Sequence, residues 1–354
     1  MSQLGIGIIG YGRIGAEHAG WINAAGEGVR AVAADDVTPA RRQLAASRGL
    51  KTYSDMDAML ADPAVGAVLV STPTAMHFEH ASRALAAGKH VMVEKPMALD
   101  LRQSRALVED AERRGLVLSV FHNRRWDLDY LTVRAAIESG AFGKVINVES
   151  RLGQFASCVG PAAREYRPNW RNEGAYGGGG LYDWGSHFID QLWRLMLPAR
   201  PLRVYAQLRG NVWSSDCDDF ARVLIDFEGG AVGLIEINTT TTRPLPRWHV
   251  DGTAGSAFSP FSPEFDTSVW ASLRFTPAGQ GEGPGGASRT FAPAARGLTE
   301  TQIWEQFARA VRGEGPPAVS ARSVLPTELL MDAARISSRE GRAVEVRDAV
   351  EWTA

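Results

Sequence analysis

The first 122 residues alternate apolar runs with helical stretches, and this alternation restricts the fold more than any other feature of the chain. Runs at 4–9 (LGIGII), 29–34, 67–71, 90–93 and 117–121 are dominated by apolar residues. Between them, residues 14–25 place Ile14, His18, Trp21 and Ile22 on one helical face. Pro39 opens a second helix that stops at Gly49, since proline suits a first helical turn and glycine an end. Two more helical stretches span 77–87 and 101–114. Strands that are apolar throughout belong in a parallel sheet covered on both faces, joined by short loops. The pattern predicts a doubly wound α/β domain over residues 1–122.

After Asn123 the pattern changes. Stretches 145–152, 204–209, 220–227 and 231–239 alternate apolar and polar residues, and Phe227-Glu228-Gly229-Gly230-Ala231 reads as a hairpin turn. Residues 278–297 are rich in Gly and Pro and read as a surface loop. Helices are expected near 301–312 and 326–340. Residues 123–354 are therefore expected to form an α+β domain on a largely antiparallel open sheet. A length of 354 residues suits two domains and allows a core without disulfides or structural metal. With 38 Lys and Arg against 40 Asp and Glu, scattered along the chain, there is no basic footprint for nucleic acid or an anionic membrane. Cys158 and Cys217 form no C-x-x-C pair and read as small apolar fillers. No run reaches the roughly 18–20 apolar residues of a membrane span. The opening MSQLGIGIIGYG lacks a positive leader, so a soluble cytoplasmic protein is expected.

Gly10-x-Gly12-x-x-Gly15 fits a dinucleotide fingerprint, with Arg13 and Ile14 inside it. With 37 glycines in 354 residues, such spacing arises by chance roughly 0.4 times. Context therefore decides. Gly5-x-Gly7-x-x-Gly10 would put its turn inside a strand, and Gly281-x-Gly283-x-x-Gly286 has no helix behind it. Only the Gly10 match ends a strand and opens a helix, where backbone N–H groups and the helix N-terminus can meet a pyrophosphate. The acidic residue expected at the end of the second strand is Asp35 or Asp36. A carboxylate there accepts from ribose hydroxyls and repels a 2′-phosphate, favouring NAD. Arg41 and Arg42, one turn on, leave NADP as the alternative.

Three further stretches complete a set: Glu94-Lys95-Pro96, His122-Asn123-Arg124-Arg125-Trp126-Asp127, and the run from Gly178-Gly179-Gly180 through Asp183 and His187 to Asp190. With the glycine turn, they resemble the glucose-fructose oxidoreductase/inositol dehydrogenase (Gfo/Idh/MocA) family over nearly the whole chain. The resemblance implies an NAD(P)-dependent oxidoreductase of sugars, inositols or related polyols, often dimeric or tetrameric through the second-domain sheet. It makes Lys95, Asp183 and His187 the catalytic group and implies a cis bond before Pro96. It also makes Asp36 the ribose-binding acid, and places Thr72, Pro73, His77, Glu94 and Arg124 around the cofactor, with Asn123 beside the substrate.

The chemistry of these residues agrees with that role. On a helix Asp183 and His187 would share a face, and Asp190 could orient the imidazole for general-base work. Lys95 ends a strand at the carboxyl edge of the sheet, where its ammonium could stabilise charge on a reacting oxygen. Trp170 and Arg171 could stack on and hydrogen-bond a polyol, or simply anchor a loop; neither they nor Tyr166 name the substrate subgroup. His77-x-x-His80 lacks a third metal ligand and reads as a solvated helix face, so no metal site is expected. His18 and His90 read as packing or surface residues. Three functional readings compete: a dehydrogenase, a glycosidase or lyase that oxidises its sugar only transiently, and a non-catalytic cofactor-binding regulator. The joint presence of Lys95, Asp183 and His187 favours an enzyme.

Overall fold

A computed structural model describes residues 3–26, 28–156, 170–280, 288–347 and 350–351; Cys158 and Tyr166 lie outside them. The first half runs β1 (Leu4–Ile9), α1 (Arg13–Ala24), β2 (Val29–Asp35), α2 (Pro39–Ser47), β3 (Lys51–Tyr53), α3 (Met56–Leu60), β4 (Ala67–Val70), α4 (His77–Ala86), β5 (His90–Val93), α5 (Leu101–Arg114) and β6 (Leu118–Val120). There follow α6 (Leu128–Glu138), β7 (Val145–Gly153), α7 (Ser186–Leu195), β8 (Pro201–Arg209), β9 (Phe220–Phe227), β10 (Val232–Asn238), β11 (Trp248–Gly252) and β12 (Gly255–Phe258). The chain ends with α8 (Thr267–Trp270), β13 (Arg274–Pro277), β14 (Arg289–Thr290), α9 (Glu300–Val311), α10 (Leu325–Glu340) and β15 (Val344–Glu345).

Two compact units result. One contains the described residues of 1–123, 159–178 and 298–328; the other contains those of 124–158, 179–297 and 329–354. The return of 298–328 to the first unit has a packing reason: Ile303, Trp304 and Phe307 of α9 are fully buried there. A capping box between Thr299 and Gln302 starts this helix.

The first unit is a parallel sheet in the order β3-β2-β1-β4-β5-β6, which reverses direction at β1/β4. Ligands bind outside the carboxyl ends of the strands at such a reversal. All four residues of β4 are buried, as its unbroken apolar run requires. The sequence reading missed β3 and α3. β3 has only Lys-Thr-Tyr and joins the sheet edge beside β2, so no apolar run marks it. α3 is one short turn capped by the Asp55 side chain.

The second unit carries a nine-stranded sheet, ordered β14-β13-β12-β11-β7-β10-β9-β8-β15. The 227–231 turn joins β9 and β10 antiparallel as expected. Among the described residues of this sheet, only β7 and β10 pair in parallel. Phe188, Ile189, Leu192 and Trp193 of α7 bury into the core, and α7 packs on β7 and β10. Gly233 on β10 admits the helix closely, since a side chain there would overlap Leu192. Strands β11 to β15, each of at most five residues, escaped the sequence reading. The segment 278–297, read as loop, contains β14, which pairs with β13. Among the described residues no helix is long and apolar enough to cross a membrane, and no His/Cys/Asp/Glu cluster could hold a metal ion.

Candidate functional site

The three fingerprint glycines have separate physical reasons. Gly10 has φ +86°, and a β-carbon there would press on Thr72 and the Ser71 carbonyl. A methyl group at Gly15 would overlap the Gly10 carbonyl oxygen, so α1 packs tightly against the turn. At Gly12 a β-carbon would meet no atom within 4 Å. The space beside Gly12 is thus open to a ligand, and no side chain caps α1, so a helix N-terminus there could accept an anion. A pyrophosphate fits this cradle. Arg13 forms an exposed ion pair with Glu17 at 2.8 Å, and Ile14 is half-buried.

Asp36 stands directly beside the glycine turn. Its carboxylate accepts from the Tyr11 N–H and the Thr38 N–H, both at 2.8 Å. Two backbone donors hold an ionised acid where a ribose diol would arrive. The Arg42 guanidinium donates to the Asp36 carbonyl at 2.6 Å. Asp35, the other candidate, belongs to β2, and burial together with the neighbouring charge of Asp36 pushes its pKa up to about 6.

Lys95 lies at the carboxyl end of β5 in a turn held at several points. The Lys95–Pro96 peptide bond is cis, as expected. The Glu94 carboxylate accepts from the Lys95 N–H at 3.1 Å. The Met97 N–H donates to the Glu328 carboxylate at 2.9 Å. His77 is fully buried, its two ring nitrogens 2.8 Å from the Pro96 carbonyl and 2.9 Å from the Thr72 carbonyl. A neutral ring carries one N–H and can donate to only one of them. Burial pulls the His77 pKa below its usual value. His80 contacts the Thr72 hydroxyl at 3.1 Å. The solvated helix face expected for these two histidines is therefore corrected: both turn inward and tie α4 to the loop that follows β4. Pro73 starts the short turn over Thr74–Met76 within that loop.

Also in the first unit, Trp170 and Arg171 form a stacked pair, the guanidinium carbon 4.4 Å from the ring centre. The short turn Gly174–Tyr176 that follows packs on Thr74–Met76, so this candidate substrate pair belongs with the cofactor-side loops. Asn123 donates its amide to Glu300 at 3.2 Å.

In the second unit, Asp183 lies in a π-helical turn over Leu181–Gly185 that runs directly into α7, which carries His187. Single π turns recur at functional sites, where they re-aim side chains. Asp218, absent from the sequence reading, holds this turn. Its carboxylate accepts from the Leu181 N–H and its carbonyl from the Gly180 N–H, both at 2.8 Å. Gly179 (φ +106°) approaches the same carboxylate so closely that a β-carbon would overlap it. Burial raises the Asp218 pKa to about 6. His187 is 5% exposed. Both oxygens of Asp190 accept from the Arg125 guanidinium at 2.8 Å, with Arg194 at 3.4 Å, so arginines balance the charge of the acid read above as a partner for His187.

Arg124 pairs with Asp127 at 3.1 Å and lies over the rings of Trp184 and Phe265. Its carbonyl accepts from Gln191 of α7, whose side-chain oxygen accepts in turn from the buried Arg247 at 2.7 Å. Arg247 pairs with the buried Asp129 at 3.4 Å. None of Asp218, Gln191, Asp129 or Arg247 lies in a motif with recognisable spacing, so no sequence signal announced this support.

The comparisons with known proteins agree with the fold of both units. Residues 4–122 match the model of an oxidoreductase family with an NAD-binding Rossmann fold, and residues 130–258 match a GFO/IDH/MocA C-terminal domain. The scyllo-inositol 2-dehydrogenase (NADP(+)) IolW of Bacillus subtilis is 30% identical over 56% of this chain and 52% of its own length. The myo-inositol 2-dehydrogenase of Thermotoga maritima is 26% identical over 98% of this chain and 99% of its own. An NAD-binding protein from Listeria innocua has a crystal structure that superposes with a TM-score of 0.85 at 30% identity, covering 97% of both chains. Several curated relatives are matched over only 48% to 60% of their length. A parallel sheet whose first strand ends in the glycine turn, together with both family domains, leads to one conclusion: the chain belongs to the Gfo/Idh/MocA family and carries that family's NAD-binding Rossmann domain.

Proposed function

We propose that this protein is an NAD-dependent dehydrogenase that oxidises a secondary hydroxyl of a sugar, inositol or related cyclic polyol to the ketone. The observation that carries the preference for NAD is Asp36, an acid pinned by two backbone N–H groups beside the glycine turn. It accepts from a ribose diol and repels a 2′-phosphate. The Arg42 guanidinium, which could attract such a phosphate, donates instead to the Asp36 carbonyl. Inositol dehydrogenases among the relatives support the polyol class. On this reading residues 1–122 carry the cofactor and 123–354 serve substrate binding and oligomerisation.

NAD held through its pyrophosphate by Gly10, Gly12 and Gly15 would supply the hydride acceptor. The protein's residues manage the proton. The carbinol carbon gives up hydride while His187 takes the hydroxyl proton, leaving a ketone. Lys95 donates to the reacting oxygen and stabilises its developing negative charge. Asp183 positions the hydroxyl and balances the charges of Lys95 and His187. Asn123, Trp170 and Arg171 contact the remaining ring hydroxyls.

The test is NADH absorbance with purified protein, NAD or NADP, and a panel of inositols, aldoses and glycosides. NADH formation with one class, falling by roughly two to four orders of magnitude in Lys95→Ala, is the expected result. Full turnover in Lys95→Ala would overturn the catalytic assignment. No NADH from any substrate, with NAD released on denaturation, would replace this reading with transient oxidation.

A further inference from the structure

Outside the motifs, a buried chain of three side chains runs within the first unit from α9 to the end of β5. The Trp304 indole N–H donates to His18 Nδ1 at 3.0 Å, and His18 Nε2 lies 2.8 Å from the Glu94 carboxylate. An indole nitrogen can only donate, so Nδ1 of His18 must accept. The ring hydrogen therefore sits on Nε2, aimed at Glu94. His18 and Trp304 are both 0% exposed. The imidazole is enclosed by the rings of Trp21, Phe121 and Trp304, with centres 4.8, 4.3 and 5.6 Å away. Water is excluded from that cage, and the tautomer is decided by Trp304.

We propose that His18 and Trp304 are positioning residues of the reaction site, which hold the Glu94 carboxylate ionised and oriented beside Lys95. Of the two Glu94 oxygens, one meets His18 and the other accepts from the Lys95 N–H, so the acid also shapes the turn that carries Lys95. The groups facing Glu94 are His18 from α1, His77 from α4 and Lys95 from its own turn. Burial pushes the Glu94 pKa up, but the His18 hydrogen bond and the positive charge of Lys95 outweigh it and hold the acid below its usual range. Removing the donor leaves burial opposed mainly by Lys95, through its charge and its N–H. Glu94 would then take up a proton at a higher pH than in the parent, and with it the negative charge beside Lys95 would disappear. The relevance to catalysis rests on the dehydrogenase reading above; the protonation of Glu94 does not.

Three variants separate the possibilities: His18→Leu removes the donor, His18→Gln keeps an amide N–H in its place, and Trp304→Phe frees the tautomer. The Glu94 carboxyl is followed by its 13C shift against pH in cofactor-free protein and assigned through Glu94→Gln. In His18→Leu the Glu94 titration should move up by at least about one pH unit, with the acid limb of kcat following. His18→Gln should return both most of the way. In Trp304→Phe the 15N shifts of His18 should change from a fixed Nε2–H form to a mixture. An unchanged Glu94 titration in folded His18→Leu, or His18→Gln behaving like His18→Leu, would overturn the proposal. If His18→Leu does not fold, an unchanged His18 tautomer in Trp304→Phe would overturn it instead. Should the substrate panel yield no NADH, the dehydrogenase reading fails, while the titration still decides the role of His18.

Discussion

Asp35 and Asp36 are adjacent carboxylates with different environments. Asp36 accepts two backbone N–H bonds, whereas burial and its neighbour's charge push Asp35 up to about 6. An acid with a raised folded pKa retains its proton through a range where the unfolded chain has already lost it. Its cost therefore develops as pH rises from about 4 to 6 and is complete above that. Asp35→Asn should raise the melting temperature above pH 6, with the gain vanishing near pH 4, as thermal scans across pH will show. The proposed preference for NAD should not change, because Asp36 is untouched. The same scale shows what sequence could discriminate: the end of the second strand restricted the acid to two positions and the resemblance chose Asp36, while the structure shows that Asp36 accepts from the backbone N–H groups of Tyr11 and Thr38.

At the scale of elements, the β1–α1 turn separates packing from binding. A β-carbon at Gly15 overlaps the Gly10 carbonyl, while one at Gly12 meets nothing. Gly15→Ala should destabilise the protein by about 1–3 kcal/mol, the usual cost of overpacking. Gly12→Ala should melt within a degree or two of the parent yet bind NAD at least about tenfold more weakly, measured by calorimetry. Equal melting losses in both would show that Gly12 too is a packing glycine. The parallel strands and their helices were legible because both have strong periodic signals. The π turn was not, since nothing in Leu-Tyr-Asp-Trp-Gly distinguishes it from a helix start; the Leu181 N–H bond to Asp218, 37 residues away, holds its beginning.

At the scale of the whole molecule, the outward face of the second sheet exposes Ile146, Leu202, Tyr205 and Leu224. Tyr205 pairs with Leu224 and Leu224 with Leu234, making an apolar row across three strands. This row supports the proposed homo-oligomer through the sheet, because a monomer rarely leaves such a patch in water. Leu224→Arg should shift the mass found by light scattering toward the monomer without unfolding the chain; an unchanged oligomer would place the interface elsewhere. Periodicity was sufficient to determine the doubly wound domain and the hairpin of the second domain, because those signals are local, while the family came from the resemblance of several separated motifs taken together. Contacts distant in sequence were decided only by the tertiary structure. Trp304 reaches His18, Glu328 reaches the turn after Lys95, and Asp218 reaches the π turn through hydrogen bonds spanning from 37 to 286 residues. Such partners have no spacing rule, because burial that excludes water, rather than proximity in the chain, selects a donor for each acceptor.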